Sequence, residues 1–301
     1  MREFFIDRRF SKGSLWLIDQ ANAIVDQYRA QGFVLTLRQL YYQFVARGLI
    51  PNKQSEYKRL GSVINDARLA GLLDWDMIED RTRNLEDLPR WNGPQDLIDV
   101  AADQYRSDIW AEQDCRPEVW IEKEALVGVV EPVCREFRVP YFACRGYGSQ
   151  SELWRAGHRF RRHVRKVQRV IVFHFGDHDP SGIDMTRDNA ERLSLFSKAN
   201  GSVEVRRLAL NMDQVEQYNP PPNPAKTTDA RFVGYEAEYG SESWELDALE
   251  PQLISDLVRQ NIEPLIDRER WQEVVDAEEI ARAVMKNVAA SWDDVADQYG
   301  T

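Results

Sequence analysis

From Pro117 onward the chain sets short apolar runs against helix-length segments: EVWIEK, a helix over 124–137, VPYFACRG, a helix over 150–167, RVIVFHFGD, a helix from about 184 to 199, and VEVRRLAL. No other feature constrains the fold as tightly. Strands separated by helices pair in parallel, and a parallel sheet needs helices over its faces. The fold class is therefore α/β with a mainly parallel sheet. The Pro-rich NPPPNPAKTTDAR (219–231) reads as a loop, because neither a helix nor a central strand tolerates its prolines. After it, 250–298 reads as two helices, the second long and charged.

The first 83 residues carry a different rhythm. A helix spans 14–31, with Ser14 as its cap and Gln31-Gly32 as its stop. Thr36 caps a second helix that ends near Gly48. In TLRQLYYQF (36–44) and the following Val45, residues Leu37, Leu40, Tyr41, Phe44 and Val45 fall at i, i+3, i+4, i+7 and i+8, one buried helical face. Tyr41 lies in that stripe. Tyr42 sits roughly 140° around from Leu37, off the buried face and beside Arg38. A third helix, about 55–70, buries Tyr57, Leu60, Ile64 and Ala67 and leaves Lys58, Arg59, Asn65 and Arg68 outside. LLDWDMIEDRTR follows as a short strand or wing. Helix, turn, helix and wing is a DNA-binding layout. Residues 84–116 read as a connector holding the loop NLEDLPRWNGPQ and a helix over 95–112.

Composition narrows the classes. No apolar run approaches the ~20 residues of a membrane span, and MREFFIDRRFSKGS has no signal-peptide core. Cys115, Cys134 and Cys144 lack the spacing of a zinc knuckle or a disulfide framework. The expectation is a soluble, cytoplasmic, nucleoid-associated protein with no membrane partner. The net charge of −11 argues against a generally basic nucleic-acid coat. Charge is uneven, however: RAGHRFRRHVRKVQR (155–169) has no acid, and acids gather over 242–297. A basic run of this kind reads equally as a polyanion contact or a solvated helix face.

Open α/β sheets bind ligands at the carboxyl ends of their strands. Glu122 closes VWIE, and Asp177 and Asp179 close VIVFHFGDHD before Pro180-Ser181-Gly182 turns the chain. Strand-end carboxylates form an oxygen-rich site suited to magnesium. The same DxD reads alternatively as a helix-capping turn. His174 lies within a strand, so it shares no helical face with His178, and zinc is not assigned. RGYGSQSE (145–152) reads as a phosphate cradle or a plain strand-to-helix loop. Lys123 could contact phosphate, but it alternates to the strand face opposite Glu122. Glu245 and Asp247 of WELDAL are candidates for extra metal ligands or groups supporting them, but read more readily as an exposed acidic turn.

VWIEKEAL followed by VFHFGDHDPSGIDM resembles the Toprim domain shared by topoisomerases and some nucleases. TLRQLYY upstream is similar to the active-site segment of the topoisomerase VI A subunit and the related meiotic break-forming transesterase, and the chain's length is similar to the compact stand-alone Mini-A type of mobile elements. The resemblance covers about residues 30–210. It implies a winged-helix domain over 1–83, the connector 84–116, and a Rossmann-like Toprim domain with a C-terminal helical extension over 117–301. It maps the nucleophile onto Tyr42 and implies Arg38 as the charge-stabilising partner. It also implies magnesium on Glu122, Asp177 and Asp179. Double-stranded DNA would meet Lys58, Arg59 and Arg68 on the third helix and Arg162 and Arg165 on the basic helix. One tyrosine cuts one strand, so a homodimer is implied, with a separate GHKL ATPase subunit for any ATP-driven strand passage. Two other readings stay open: a Toprim-type nuclease using metal-activated water, and a non-cleaving DNA-binding or regulatory protein.

Overall fold

The computed structural model describes residues 1–79, 90–199 and 201–298. The N-terminal part holds helices α1 (Lys12–Ala30), α2 (Leu37–Ala46), α3 (Gln54–Leu69) and α4 (Pro94–Gln104). Strands and helices then alternate: β1 (Cys115–Ile121), α5 (Val127–Glu136), β2 (Tyr141–Ala143), α6 (Gln150–Val164), β3 (Arg169–Phe175), α7 (Pro180–Ser197) and β4 (Val203–Ala209). The remainder comprises α8 (Met212–Tyr218), β5 (Asn223–Pro224), α9 (Phe232–Tyr239), β6 (Glu242–Ser243), α10 (Pro251–Ile262), α11 (Arg268–Ala290) and α12 (Trp292–Gln298). None of the described helices is long and apolar enough to cross a membrane.

The protein is α/β. β1–β4 form a four-stranded parallel sheet in the order β2-β1-β3-β4. Its inner strands explain the unbroken apolar runs in the sequence: Val170 through Phe175 of β3 are all buried. α7 starts at Pro180, earlier than the sequence suggests, because Asp179 caps it and proline favours the first helical position. Chain order is not the grouping in space. Met1–Arg83 and Pro117–Ile262 form one compact unit, and Asn84–Arg116 and Glu263–Thr301 form another. The segment read as a connector instead packs α4 along α11, with Ala102 the buried residue of α4. The 250–298 stretch gives three helices, since the long one ends at Ala290 before α12.

Within the larger unit, α1–α3 pack around Leu17, Ile24, Tyr28, Leu40, Phe44, Leu60 and Ile64. The cap of α1 is Ser11, whose hydroxyl accepts from the Ser14 amide at 3.1 Å, so Ser14 lies inside the first turn. α2 has a reciprocal capping box. Thr36 Oγ1 accepts from the Gln39 amide at 3.3 Å, and Gln39 Oε1 accepts from the Thr36 amide at 2.8 Å. Of the segment read as a wing, Trp75–Met77 forms a 3₁₀ turn and Ile78 makes a single parallel bridge to Leu35. Residues 80–83 lie outside the described residues.

Gly157 sets the spacing of α6 and α7: a Cβ there would stand 2.4 Å from Phe196 Cβ. Gly157→Ala is expected to destabilise the protein by about 1–3 kcal/mol through overpacking. Urea denaturation measures this, and an unchanged midpoint would show that the helices part without cost.

Candidate functional site

The site begins where β1 and β3 end. The Glu122 amide donates to Phe175 O at 2.8 Å, and Glu122 Oε2 accepts from the Asp177 amide at 2.9 Å. Gly182 permits the next turn, since a Cβ at that position would lie 2.1 Å from Asp177 O. Asp179 Oδ1 accepts from the Gly182 amide at 2.6 Å and from Ser181 Oγ at 3.0 Å. The DxD is therefore a helix cap at Asp179 as well as a pair of strand-end acids.

Three residues meet these carboxylates in ways the sequence concealed. Lys123 lies two residues beyond the last strand residue, Ile121, so strand alternation no longer governs its direction. Its Nζ reaches Asp177 Oδ1 at 2.8 Å, Glu245 Oε2 at 2.5 Å and Asp247 Oδ1 at 3.6 Å. Glu245 and Asp247 are not an exposed turn. An antiparallel bridge between His178 and Trp244 brings the chain back across the strand ends, and the Leu246 amide donates to Asp177 Oδ1 at 2.8 Å. The Asp247 side chain has no solvent exposure. It pairs with Arg38 Nε at 2.9 Å, yet neither of its oxygens accepts an aligned hydrogen bond. Arg38 also pairs with Glu245.

The returning segment corrects the reading of Tyr42. Tyr42 is 5% exposed, as is Tyr41, because Leu246–Ala248 packs on α2 and covers the side that a helical wheel leaves open. The two rings meet edge to face at 5.4 Å, and the Arg38 guanidinium lies 5.8 Å from the Tyr42 centroid. Tyr41 is tied down by its hydroxyl, which donates to Asn52 Oδ1 at 3.0 Å and Lys53 O at 3.2 Å. The Tyr42 hydroxyl has no hydrogen-bond partner among the described residues. Tyr42 lines a cleft of about 310 Å³ with Arg38, Tyr41, Asn52, Tyr57 and Glu245.

Burial dominates the acid–base behaviour. It pushes the Tyr42 phenol up to about 12, with help from the Glu245 charge and against Arg38 and Lys123. It raises Asp177 to about 7 despite Lys123, and Glu122 adds repulsion. Glu122 and Asp247 are raised for the same reason. Glu245 is lowered, since Lys123 and Arg38 together outweigh its burial.

Arg207, on β4, also belongs to the site. It donates to the carbonyls of Gly176 (3.0 Å), Asp177 (2.7 Å) and Gly182 (2.9 Å) and to Thr186 Oγ1 (2.9 Å). Burial lowers its pKa to about 10 against the pull of Glu122, Asp177 and Asp179, so it remains charged at neutral pH. The sequence did hold a signal: adjacent Arg206 and Arg207 on a strand must point to opposite faces. His174 and His178 are both neutral, burial lowering them to about 3 and about 4. Their Nδ1 atoms lie 2.8 Å from Thr186 Oγ1 and 2.7 Å from the Tyr235 hydroxyl.

Five carboxylates (Glu122, Asp177, Asp179, Glu245, Asp247) thus face three cations (Arg38, Lys123, Arg207). Full ionisation leaves an excess of two negative charges, which one divalent cation would balance. Glu122 Oε1, Asp177 Oδ2 and Asp179 Oδ2 take no hydrogen bond from a described residue, so the donor set fits magnesium. Among the described residues, no three His, Cys, Asp or Glu side chains are already grouped around a common metal position.

The raised Asp177 carboxyl links folding to pH. Aspartate in an unfolded chain ionises near 4, so folding favours the protonated form; that stabilisation is full below about pH 4 and lost as pH rises through 7. In metal-free buffer, Asp177→Asn, which mimics the protonated acid, is expected to gain stability relative to wild type across this window. A pH-independent gap between the two denaturation midpoints would refute the raised pKa.

The expected DNA contacts divide. Lys58 is exposed and unpaired among the described residues, while Arg59 pairs with Glu56 at 2.9 Å. Arg68 is not a free outward arginine. It donates to the carbonyls of Trp75 (2.7 Å) and Ile78 and lies 5.2 Å from the Trp75 ring, tying down the turn after α3. Arg162 and Arg165 are exposed and unpaired among the described residues. RGYGSQSE is a strand-to-helix loop in which Ser149 caps α6, accepting from the Glu152 amide at 3.2 Å. Comparison with protein-family models, curated proteins and solved structures returned no match to this chain.

Proposed function

We propose that this protein cleaves double-stranded DNA by magnesium-dependent tyrosine transesterification, in the manner of a topoisomerase VI A subunit, with α1–α3 in the winged-helix role and the parallel sheet in the Toprim role. One observation carries the reading. Tyr42, with an unbonded hydroxyl on a cleft, is joined through Arg38, Glu245, Asp247 and Lys123 to the strand-end acids Asp177 and Glu122.

In the reaction, Tyr42 Oη attacks a phosphodiester phosphorus. A P–Oη bond forms, the P–O bond to one deoxyribose breaks, and the sugar oxygen leaves and takes a proton from solvent to become a hydroxyl. The phenolic proton passes to water in the cleft. A phenol with a pKa near 12 needs help to ionise at neutral pH. Arg38 supplies it by stabilising phenolate and then phosphorane charge. Glu122, Asp177 and Asp179 are the residues that would hold magnesium, whose charge polarises phosphate oxygens. A break in both strands needs two copies of Tyr42, hence a homodimer. ATP-driven strand passage would need a separate GHKL ATPase subunit.

The burial of Tyr42 favours one competitor: a nuclease in which water attacks at the same carboxylates and Tyr42 only shapes the cleft. Incubation with end-labelled supercoiled DNA and magnesium, followed by denaturation, separates the readings. Label that migrates with the protein supports transesterification. Protein-free nicked ends would support the nuclease, and intact DNA with only a mobility shift would leave a binding protein.

A further inference from the structure

The basic helix α6 is not uniformly basic in effect. Arg155 pairs with Glu152, and Arg159 is held by both oxygens of Glu118 at 2.8 and 2.9 Å. Arg162, Arg165 and Lys166 are exposed and have no partner among the described residues. On the same side, Trp154 is 50% exposed and lies against His158, with ring centroids 4.2 Å apart and the planes tilted by 40°. Residues 154, 158, 162 and 165 recur at i, i+4, i+8 and i+11, so the aromatic pair and the free arginines form one stripe about 16 Å long.

We infer that this stripe binds single-stranded DNA, with an unpaired base stacked on Trp154 and the adjoining phosphates on Arg162 and Arg165. Cations alone at a helix C-terminus would be explained by the helix dipole. They do not explain a half-exposed indole already ordered by a second ring. A flat aromatic face beside free cations is the arrangement that holds single strands, because a base offers its face only when it is out of the duplex. A lipid surface fits poorly. The apolar side chains Leu153, Ala156 and Phe160 of α6 are spent in the core, which leaves Trp154 and, past the helix end, the small side chain of Val167 as all that could insert there. The inference needs no chemistry at Tyr42.

Fluorescence anisotropy with labelled oligothymidylate, a duplex of equal length and inorganic polyphosphate as a base-free competitor tests it. Trp154→Ala should weaken oligothymidylate binding about tenfold or more without altering the salt dependence, and Trp154→Phe should restore most of the loss. Arg162→Ala/Arg165→Ala should reduce the log–log salt slope by about 1.4 units, at ~0.7 per single-strand phosphate contact. Duplex affinity should change little in Trp154→Ala. Unchanged oligothymidylate binding by Trp154→Ala, an equal loss on duplex, or displacement by polyphosphate as effective as by unlabelled oligothymidylate would overturn the inference. The assay reads binding alone and needs no cleavage, so a failed cleavage assay leaves this test intact.

Discussion

Tyr42→Phe is expected to abolish the covalent protein–DNA adduct entirely while leaving stability within about 0.5 kcal/mol of wild type. The substitution removes one oxygen, and that oxygen makes no hydrogen bond with a described residue. Little is lost from the fold, since buried hydroxyls destabilise on removal mainly through the partners they abandon. The adjacent tyrosine supplies the control. Tyr41→Phe breaks the hydroxyl's contacts with Asn52 and Lys53, so it should cost about 1 kcal/mol yet retain the adduct. Denaturing gels with labelled DNA, run beside urea melts of both variants, make the comparison. Adduct surviving in Tyr42→Phe would assign the nucleophile elsewhere.

Lys123→Ala is expected to destabilise the protein by about 3–5 kcal/mol, the range for removing one partner of a buried ion cluster. The ammonium is the common counter-charge of Asp177, Glu245 and Asp247, whose side chains are at most 27% exposed. Without it, three acids face one another with Arg38 beside Glu245 and Asp247 and Arg207 near Asp177 as the cations that remain. The loss should be partly recovered in Lys123→Ala/Asp247→Asn, because the second change removes a charge that the first left unpaired. Magnesium should also stabilise Lys123→Ala more than wild type if the freed carboxylates accept it. A cost below about 1 kcal/mol would mean that water, rather than Lys123, screens these acids.

The local signals in the sequence were legible because short-range physics sets them. The Thr36 cap, the α2 core face, the strand–helix alternation and the carboxylates at the ends of β1 and β3 each depend on residues within one element. What stayed hidden was nonlocal. The helical wheel gave Tyr42 an open side because Leu246–Ala248, which covers it, lies some two hundred positions away in the chain. Lys123 read as facing away because alternation was extended two residues past the strand. Glu245 and Asp247 read as solvated because their charge is compensated by Arg38 and Lys123, which no window around WELDAL contains. Arg68 read as a DNA contact because its backbone acceptors at Trp75 and Ile78 lie in a turn with no periodicity. The pairing of α4 with α11 was concealed in the same way, each helix showing only its own apolar stripe.

The distance between Arg38 and Glu245, 207 residues along the chain, also governs when the site can exist during synthesis. At about 5–20 residues per second, roughly 10–40 s separate the emergence of α2 from the ribosome and that of its acidic cover. Throughout that interval the nascent chain carries the phenol and, later, the strand-end acids, but nothing to hold Arg38 or to seal Tyr42. Tyr28 waits too, since its hydroxyl donates to Glu250. The site is therefore completed by the last portion of the larger unit to be made, and a chain abandoned before residue 245 is a fragment without the cluster. On the function proposed above, such an order of assembly would tie the capacity to cleave DNA to synthesis of the segment that completes the cluster.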